Sequence, residues 1–342
     1  MTTISVVIPS YNRAELLKLT VQSVLAQTIP PTEVIIVDDG STDHTQAVCA
    51  TFPPPVRYIR QKNSGVAAAR NTGIRAVTGE WIAFCDSDDL WMTNKLALQL
   101  AAIDATGVKW SITDFAIING EGARVMGNGF ARAFPIFPEK HLTAEQHFGN
   151  WLGARTLKIG SESMSIYTGD AFGMMFLGNV VIPSTSIIAQ DLIRRVGAFD
   201  ETLDVAEDTE YFHRMAARAP LTILMKPLTD YRMGHPSLIA QKSENLIGNA
   251  LISHERATLL RSRHTIREEA AIREGGELLR VRLAFSRLAA LNQRGAREAL
   301  RGTSHRYVLS MRAVAILLAS LLPSIALRGL HWAKRGVRSL RG

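Results

Sequence analysis

Three carboxylates that follow directly on a short apolar segment are the side chains best suited to chemistry in this chain. Asp86, Asp88 and Asp89 come immediately after the segment Trp81–Cys85. Carboxylates just past the end of a buried strand lie in the crevice where open α/β sheets bind ligands. Because three carboxylates at this spacing repel one another, a hard divalent cation that shares their oxygens makes the cluster tolerable. The motif therefore indicates a site for a metal ion and a diphosphate, and the alternative is an N-cap for a helix that starts near Thr93.

A second acidic pair, Asp38 and Asp39, also follows an apolar segment. Gly40 permits a turn there, and Ser41 to Asp43 are residues of the types that cap helices. Capping explains the polar residues after the glycine, but it does not explain two carboxylates at the end of a strand. One of these carboxylates could accept a hydrogen bond from a uracil N3–H or a ribose hydroxyl, so the pair is a candidate nucleoside contact.

Arg70 interrupts a segment of mostly small side chains, Asn63–Gly73. Small residues let a backbone or a ligand approach closely, and an arginine can bind a diphosphate through charge-assisted hydrogen bonds. Arg70 is therefore a candidate diphosphate ligand. The alternative is a tightly packed helix that carries a surface arginine.

The acidic pair Glu207 and Asp208 opens a segment with helical periodicity. Acidic residues in a first turn complement the helix dipole, so capping is one interpretation. The other makes Asp208 the base that deprotonates an incoming hydroxyl. Downstream, His235 is a candidate ligand, although a lone histidine is more often structural.

These candidate residues need elements that bring them to one place. Short apolar strands alternate with helices through the first ~110 residues, an order that implies a mostly parallel sheet with helices on both faces. Because parallel strands end at the same edge, the polar loops after the first, second and fourth strands form one ligand site. The predicted strands are Ser5–Pro9, Glu33–Val37, Val56–Ile59 and Glu80–Cys85, and the predicted helices are Ala14–Gln27, Asp43–Ala50, Gly65–Val77 and Thr93–Ala105.

Residues 115–180 are rich in glycine and aromatic residues and have weak periodicity, which indicates a long insertion over the sheet edge. Regular periodicity returns after the insertion, and residues 240–304 are predicted to be helical. The other predicted elements are a helix over Ala144–Leu152, strands over Val180–Pro183, Ser186–Ala189 and Leu221–Met225, and helices over Asp191–Val196 and Ala206–Arg218.

The composition fits one large α/β domain with a smaller appendage. The chain has 342 residues, of which 46% are hydrophobic, enough for a buried core. Cys49 and Cys85 are its two cysteines, which give neither a disulfide framework nor zinc spacing, so we expect a reducing compartment. The N-terminal apolar run is too short for a signal peptide, and we expect none.

Positive charge is concentrated in the C-terminal quarter. Residues 251–342 contain 18 Lys and Arg against 6 Asp and Glu, whereas residues 1–250 contain 21 against 25. Such a region could meet nucleic acid or an anionic membrane, and its apolar content favours the membrane. The apolar run Val314–Leu327 has 14 residues and contains Pro323, so it is too short to span a bilayer and better suited to its surface. The alternative is a core or dimer helix.

Taken in order, these motifs resemble family 2 glycosyltransferases, which have the GT-A fold. The resemblance covers roughly residues 3–237. Each motif is modest alone, and their order and spacing together make the resemblance specific. The residues that carry it are Ser5–Asn12, Ser23–Thr28, Val37–Asp43, Asn63–Gly65, Ala69–Asn71, Asp86–Asp89, Gly197–Glu201, and Glu207 with Asp208.

The resemblance implies a donor site. Pro9, Tyr11 and Asp39 are expected to line the nucleotide-base pocket, and Arg70 is expected near the base and the phosphates. Asp86 is expected near the ribose and, as the first residue of the family's DXD motif, among the metal ligands. The implied donor is a nucleotide-diphosphate sugar, and we expect a UDP-sugar.

The resemblance also implies a metal site and a base. Asp88 is the second carboxylate of the DXD motif and is expected on Mg²⁺ or Mn²⁺, with Asp89 as an adjacent ligand. Asp208 is the implied general base, with Glu207 beside it. His235 falls in the family's Tyr-Arg-x-His ending, one residue longer in this sequence, where a donor-phosphate or metal contact is expected.

The implied activity is the transfer of one sugar to a hydroxyl acceptor, with inversion, by a single in-line displacement. Processive relatives carry a Gln-x-x-Arg-Trp motif and several long transmembrane helices, and nothing in this sequence matches either. The basic C-terminal segment suggests a lipid-linked or polysaccharide acceptor and an enzyme held at the cytoplasmic face of the cell membrane. We expect no nucleic-acid partner, and the sequence leaves open whether the protein forms a homodimer.

Two other functions remain open. One is a catalytically silent nucleotide-sugar-binding scaffold on the same fold, although such a protein has no chemical need for all of the carboxylates. The other, weaker alternative is a nucleotidyltransferase, which would usually show a Gly-rich basic loop where Ser10–Arg13 stands.

The implied domains are a catalytic domain over residues 1–237, a helical extension over 238–304 and a membrane-associating segment over 305–342. Within the first, residues 1–112 would bind the nucleotide sugar and residues 113–237 the acceptor. Aromatic residues of the insertion are the expected acceptor wall. They are Phe130, Phe134, Phe137, Phe148 and Trp151.

Overall fold

A computed structural model describes residues 2–130, 142–160, 162–233, 243–290, 292–301 and 303. Three site or acceptor-wall candidates, and the C-terminal apolar run, lie outside these residues, and the predictions made for them stay predictions. The three candidates are His235, Phe134 and Phe137.

The first four strands form a parallel half-sheet, as the βα alternation predicts. They are β1 (Ile4–Ser10), β2 (Glu33–Asp38), β3 (Val56–Arg60) and β4 (Trp81–Phe84). Their order is β3-β2-β1-β4, and β1 and β2 are buried along their whole length, as is usual for parallel strands covered on both faces. Ser10 pairs with Asp38 where β1 and β2 end, so the loops that follow begin side by side.

Helices follow these strands as predicted. They are α1 (Ala14–Leu25), α2 (Thr45–Cys49), α3 (Val66–Ala76) and α4 (Lys95–Thr106), and the two-residue strand β5 (Leu90–Trp91) precedes α4. Helix α3 approaches β1 closely, because a Cβ on Gly73 would lie 2.2 Å from Val7 Cγ1. Tight packing therefore accounts for the small residues of this helix. Arg70 is not a surface residue, since it is only 3% exposed.

The second half of the chain extends the same sheet. Its elements are the strands β6 (Trp110–Ile118), β7 (Arg124–Met126), β8 (Gly153–Ile159), β9 (Glu162–Gly169), β10 (Ile187–Ala189) and β11 (Leu221–Arg232), the helices α5 (Ala144–Trp151), α6 (Phe172–Met175), α7 (Gln190–Val196) and α8 (Glu207–Ala216), and a 3-10 turn at Pro183–Thr185. Strand β10 lies antiparallel between β4 and β6, and the order β3-β2-β1-β4-β10-β6-β11-β9-β8 results. Strand β11 pairs with β6 in parallel, while β5 and β7 add to β11 and β6.

The structure corrects three predictions for this half. Residues 153–169, expected within an irregular insertion, form the antiparallel hairpin β8–β9 at the sheet edge. Their pattern is weak because most of β8 is exposed. The segment Val180–Pro183 is not a strand but leads into the 3-10 turn, and β11 ends at Arg232 rather than at Met225.

The described aromatic residues of the insertion serve the core rather than an open acceptor wall. Phe130 and Phe148 are 0% exposed and pack edge to face with ring centroids 5.2 Å apart. Phe130 also packs edge to face on Phe115, at 5.8 Å. Trp151 is partly buried, with the guanidinium of Arg267 4.1 Å from its ring centroid. The acceptor-wall prediction is therefore wrong for the two buried phenylalanines.

Three helices follow the sheet, in agreement with the helical prediction for residues 240–304. They are α9 (Ser243–Ala257), α10 (Ile266–Ala289) and α11 (Gln293–Ala299). Helix α9 packs against α8, and α10 packs against α6. Arg261 joins them to the sheet through ion pairs of 2.8 Å to Asp170 and to Glu268. Within the described ranges, no helix is both long enough and apolar enough to cross a membrane.

Candidate active site

The loop after β4 presents two of its three carboxylates to the outside. The side chains of Asp86 and Asp88 are 25% and 21% exposed. Arg13, at the start of α1, places its Nε 3.8 Å from Asp88 Oδ2. The loop thus combines part-exposed carboxylates with a nearby cation that the sequence analysis did not single out.

Asp89, expected as an adjacent metal ligand, points inward instead. It is 0% exposed, and its Oδ2 accepts a 2.5 Å hydrogen bond from Ser184 Oγ while Oδ1 accepts one of 3.0 Å from the Arg232 backbone N–H. Burial, together with the charges of Asp88 and Asp86, raises the pKa of Asp89 well above its usual range. The structure therefore corrects the metal role predicted for Asp89, which supports the loop from behind.

Ser184 and Arg232 hold this loop in place, and neither was predicted from the sequence to have a role. Besides its bond to Asp89, Ser184 Oγ accepts a 2.9 Å hydrogen bond from the Asp86 backbone N–H. Arg232 Nε donates to the Asp88 carbonyl oxygen at 2.9 Å, and its Nη1 donates to that of Asn119 at 3.1 Å. A signal existed for Arg232, which belongs to the Tyr-Arg-x-His ending. Ser184 carried no signal of its own, because it lies between two predicted strands, Val180–Pro183 and Ser186–Ala189.

Arg70 joins the loop after β4 to the start of α8. Its Nη2 donates to Asp86 Oδ1 at 2.8 Å and its Nη1 donates to Glu207 Oε1 at 2.6 Å. The guanidinium also lies 5.5 Å from the ring centroid of Phe199. Burial acts to lower the pKa of Arg70, but the charges of Asp86 and Glu207 outweigh it and raise the pKa above its ordinary value. A diphosphate contact was expected of Arg70, but the buried guanidinium is engaged by two carboxylates, so it positions acids instead.

Asp208 lies at the first turn of α8, directly after Ala206 and Glu207. Ala206 has a left-handed φ of 61°, a conformation that a non-glycine residue adopts only at a cost. Asp208 Oδ1 accepts a 2.6 Å hydrogen bond from the Thr209 N–H. Burial raises the pKa of Asp208 to about 7, the charge of Glu207 adds to the rise, and Arg70 opposes it. A carboxyl with a pKa near neutrality is suited to proton transfer.

The expected nucleotide-base pocket has one buried and one open residue beside β1. Asp39 is 4% exposed, and its carboxylate accepts hydrogen bonds from the backbone N–H groups of Ser64, at 2.9 Å, and Gly65, at 2.8 Å. Pro9 is buried in β1 next to β2, whereas the side chain of Tyr11 is 46% exposed. The loops after β2 and β3 therefore meet at Asp39. The strand order had predicted a shared site for the loops after the first, second and fourth strands, and the contact with the loop after β3 was not predicted.

Tyr231, near the end of β11, interacts electrostatically with the acids of the site. Its ring packs edge to face on Phe115 with centroids 5.9 Å apart. Burial raises the pKa of Tyr231, and the charges of Asp89, Asp86, Asp88 and Asp208 raise it further. The loop after β4 and Asp208 thus both act electrostatically on this phenol, which was not predicted from the sequence.

Residues 5–168 match the family model described as Glycosyl transferase family 2. These residues, just under half of the chain, therefore form a glycosyl transferase family 2 domain. An uncharacterized glycosyltransferase of Rickettsia felis is 36% identical over 160 residues, which are 46% of this chain and 26% of that protein. The UDP-Glc:alpha-D-GlcNAc-diphosphoundecaprenol beta-1,3-glucosyltransferase WfgD of Escherichia coli is 33% identical over 118 residues, 34% of this chain and 47% of that protein. The chain therefore matches less than half the length of each of these relatives.

Solved structures resemble the family 2 domain together with the helices after it. The crystal structure of S. aureus TarS 1–349 in complex with UDP has a TM-score of 0.62 and 17% sequence identity, and the match covers 98% of this chain and 92% of that chain. The same protein in complex with UDP-GlcNAc has a TM-score of 0.55 and 16% identity, with coverages of 87% and 88%. At this identity the likeness concerns the fold, and it confirms the predicted GT-A type of α/β fold with a helical C-terminal extension.

The carboxylates of the family 2 site fit a metal ion that a substrate helps to bind. Among the described residues, no group of three or more His, Cys, Asp or Glu side chains can hold a metal ion by itself. Asp86 and Asp88 are the part-exposed pair, and Mg²⁺ is commonly bound by one or two carboxylates plus substrate phosphates and water. The residues therefore fit an ion completed by a diphosphate better than an all-protein cage.

Proposed function

We propose that this protein is an inverting glycosyltransferase that moves one sugar from a UDP-sugar to a hydroxyl acceptor. The observation that carries the proposal is the position of Asp208. Its carboxyl has a pKa of about 7 and interacts electrostatically with Arg70, which is bonded to the donor-side Asp86. Arg70 thus links the part-exposed loop that carries Asp86 to Glu207, the residue directly before Asp208.

In the proposed reaction, Asp208 accepts the proton of the acceptor hydroxyl while that oxygen attacks the anomeric carbon of the donor. The bond to the nucleotide diphosphate breaks in the same step, so the configuration inverts. A positioned general base typically contributes about 10²–10⁴-fold to such a rate. Glu207 was expected beside the base as a catalytic residue, but its bond to Arg70 supports a positioning role.

Asp86 and Asp88 are the residues that would hold Mg²⁺ or Mn²⁺ against the donor diphosphate. When bound, such an ion acts as a Lewis acid that stabilises the charge of the leaving group. Arg13 lies beside Asp88 and can add positive charge at the same place. Ser184 and Arg232 hold the loop in place against the repulsion between its carboxylates.

The nucleotide side of the proposed site consists of Pro9, Tyr11 and Asp39. Tyr11 offers an exposed ring beside the loop after β1, where a base can stack. Asp39 Oδ2 accepts one described hydrogen bond, from Gly65, so a lone pair remains for a donor on the base or ribose. UDP is the nucleotide we propose because TarS, a fold neighbour, was crystallised with UDP and with UDP-GlcNAc, and WfgD is named for UDP-Glc.

For the acceptor we propose a lipid-linked saccharide or polysaccharide. WfgD is named for an acceptor on diphosphoundecaprenol. The excess of basic over acidic residues in residues 251–342 would favour an anionic membrane face, where such lipids reside. We therefore propose that residues 305–342 attach the protein peripherally to the cytoplasmic face.

A donor panel tests the proposal. The 342-residue protein is incubated with individual nucleotide sugars and Mn²⁺, and nucleotide release is followed with and without membrane lipid extract. Release from a UDP-sugar that Asp208→Asn reduces, and that Asp191→Asn does not, is the expected result. Asp191 is a matched control because it is a half-exposed surface carboxylate paired with Lys109. Binding of UDP without release from any donor would instead favour the scaffold alternative.

A further inference from the structure

A lysine at the start of α4 is buried without a carboxylate beside it. Lys95 is 0% exposed, and its Nζ donates to Gln99 Oε1 at 2.7 Å and lies 4.1 Å from the ring centroid of Trp91. Within the described ranges, no carboxylate lies at ion-pair distance from it. Burying an ammonium group in this way is unfavourable, and burial lowers the pKa of Lys95 to about 7. A nonpolar side chain of the same length would fill this space without the cost of burying a charge. Packing alone therefore does not explain why a lysine stands here.

Both residues that contact the ammonium hold the 3-10 turn Pro183–Thr185. The indole Nε1–H of Trp91 donates to the carbonyl oxygen of Ser184 at 2.9 Å. Gln99 Nε2 donates to the carbonyl oxygen of Thr185 at 3.0 Å. The ammonium accordingly fixes the orientation of two side chains, because it occupies the amide oxygen of one and the ring face of the other.

The 3-10 turn also holds the loop Asp86–Asp89, called the acidic loop below. Ser184 Oγ accepts the Asp86 N–H and donates to Asp89, as described above. Three successive contacts therefore connect the Lys95 ammonium to the backbone of a proposed metal ligand, through Trp91 and Ser184. The contacts of Ser184 are long-range in sequence, since it is 93 residues from Trp91 and 98 from Asp86.

We propose that Lys95 is a positioning residue for the acidic loop: through Trp91 and Gln99 it fixes the Pro183–Thr185 turn, which sets the place of Asp86 and Asp88. The inference deepens the proposed function, on which its donor-binding part rests. A residue that merely fills the core would behave differently, since its replacement by methionine would leave the loop and its ligands unchanged.

The test compares Lys95→Met with the matched control Lys109→Met, the same change at a half-exposed surface lysine. UDP is titrated calorimetrically in Mn²⁺ into the wild type and both variants. We expect Lys95→Met to weaken UDP binding roughly tenfold, the lower end of the range for groups that orient metal ligands, and to be no less stable than the wild type. Lys109→Met should bind like the wild type. Equal binding by a folded Lys95→Met protein would overturn the proposal.

A second variant and a second measurement keep the test decisive if Lys95→Met does not fold or if the wild type does not bind UDP. Trp91→Phe keeps the ring face for Lys95 but removes the N–H that binds Ser184, so it should weaken UDP binding in the same direction. If Lys95→Met does not fold, unchanged binding by Trp91→Phe overturns the proposal.

Hydrogen exchange at residues 85–91 needs no ligand and should be several-fold faster in both variants, because the Asp86 N–H loses a fixed acceptor. If the wild type does not bind UDP, the proposed function fails. The exchange result then decides the role of Lys95, and an unchanged rate would refute it.

Discussion

The pKa of Asp208 predicts how both activity and stability depend on pH. The carboxyl must be ionised to accept a proton from the acceptor hydroxyl. With a pKa of about 7, roughly a tenth of the free protein is ionised at pH 6, so kcat/KM should fall about tenfold for each pH unit below 7. Replacement by asparagine should leave UDP binding nearly intact and lower the transfer rate by about 10² or more at pH 8.

The raised pKa of Asp208 also predicts the direction in which the free energy of unfolding changes with pH. Burial raises the folded-state pKa of Asp208 from 3.8 to about 7, so between these pH values the folded state binds more protons than the unfolded state. Stability from this group is therefore present below pH 4 and is lost as the pH rises through 7. One pKa unit corresponds to about 1.4 kcal/mol, and the loss between pH 5 and pH 8 comes to roughly 2–3 kcal/mol. Asp208→Asn does not lose its proton and should not show this loss.

Urea unfolding of the wild type and of Asp208→Asn at pH 5 and pH 8 measures the difference directly. The asparagine variant should gain stability relative to the wild type on going to pH 8, while its transfer rate falls. Burial, and then the charges of Glu207 and Asp86, raise the pKa of the carboxyl while Arg70 lowers it, so these three neighbours remain unchanged in this comparison. A stability difference that is the same at both pH values, or a variant with wild-type turnover, would show that Asp208 is only an acid in the first turn of a helix.

Three further predictions concern the metal, the buried arginine and the C-terminal segment. UDP binding should need Mg²⁺ or Mn²⁺ in the wild type and lose that dependence in Asp88→Asn; calorimetry that finds equal affinity in all four combinations would remove the metal role. Arg70→Met should destabilise the fold by about 3–5 kcal/mol in urea unfolding, because Asp86 and Glu207 lose their common partner, and an effect below 1 kcal/mol would contradict a structural bridge. Truncation after Ser304 should release the protein from anionic vesicles in flotation while UDP binding persists, and high salt should weaken attachment of the intact chain only in part; indifference to both anionic and neutral vesicles would refute membrane attachment.

The parallel half of the sheet was predictable because its elements have strong local signals. The strands β1 and β2 are continuous apolar runs that end in turn residues, and the acids after β2 and β4 mark the same edge. The hairpin β8–β9 was missed because its outer strand is mostly exposed and carries no clear alternation. A short-range pattern cannot reveal an element whose stability comes from pairing with β11.

The candidate site was predictable in its members but not in their orientations. Asp86, Asp88 and Asp89 follow one another in sequence, yet only a serine 95 residues away and a backbone N–H 143 residues away turn Asp89 inward. Arg70 was likewise predicted to bind phosphate, but in the fold its guanidinium donates hydrogen bonds to Asp86 and Glu207. Sequence spacing identifies the groups that can do chemistry, and long-range hydrogen bonds decide which of them face the solvent.

The Arg70 bridge limits how this protein can be recombined with its relatives. The cation belongs to the half predicted to bind the nucleotide sugar, and one of its partners, Glu207, belongs to the half predicted to bind the acceptor, 137 residues along the chain. A chimera with a crossover between these residues keeps the buried charge balanced only if both parents supply matching partners. Exchange of acceptor halves to obtain new linkages should therefore succeed most often between parents that share this arginine and this glutamate, and fail through misfolding rather than through lost recognition when they do not.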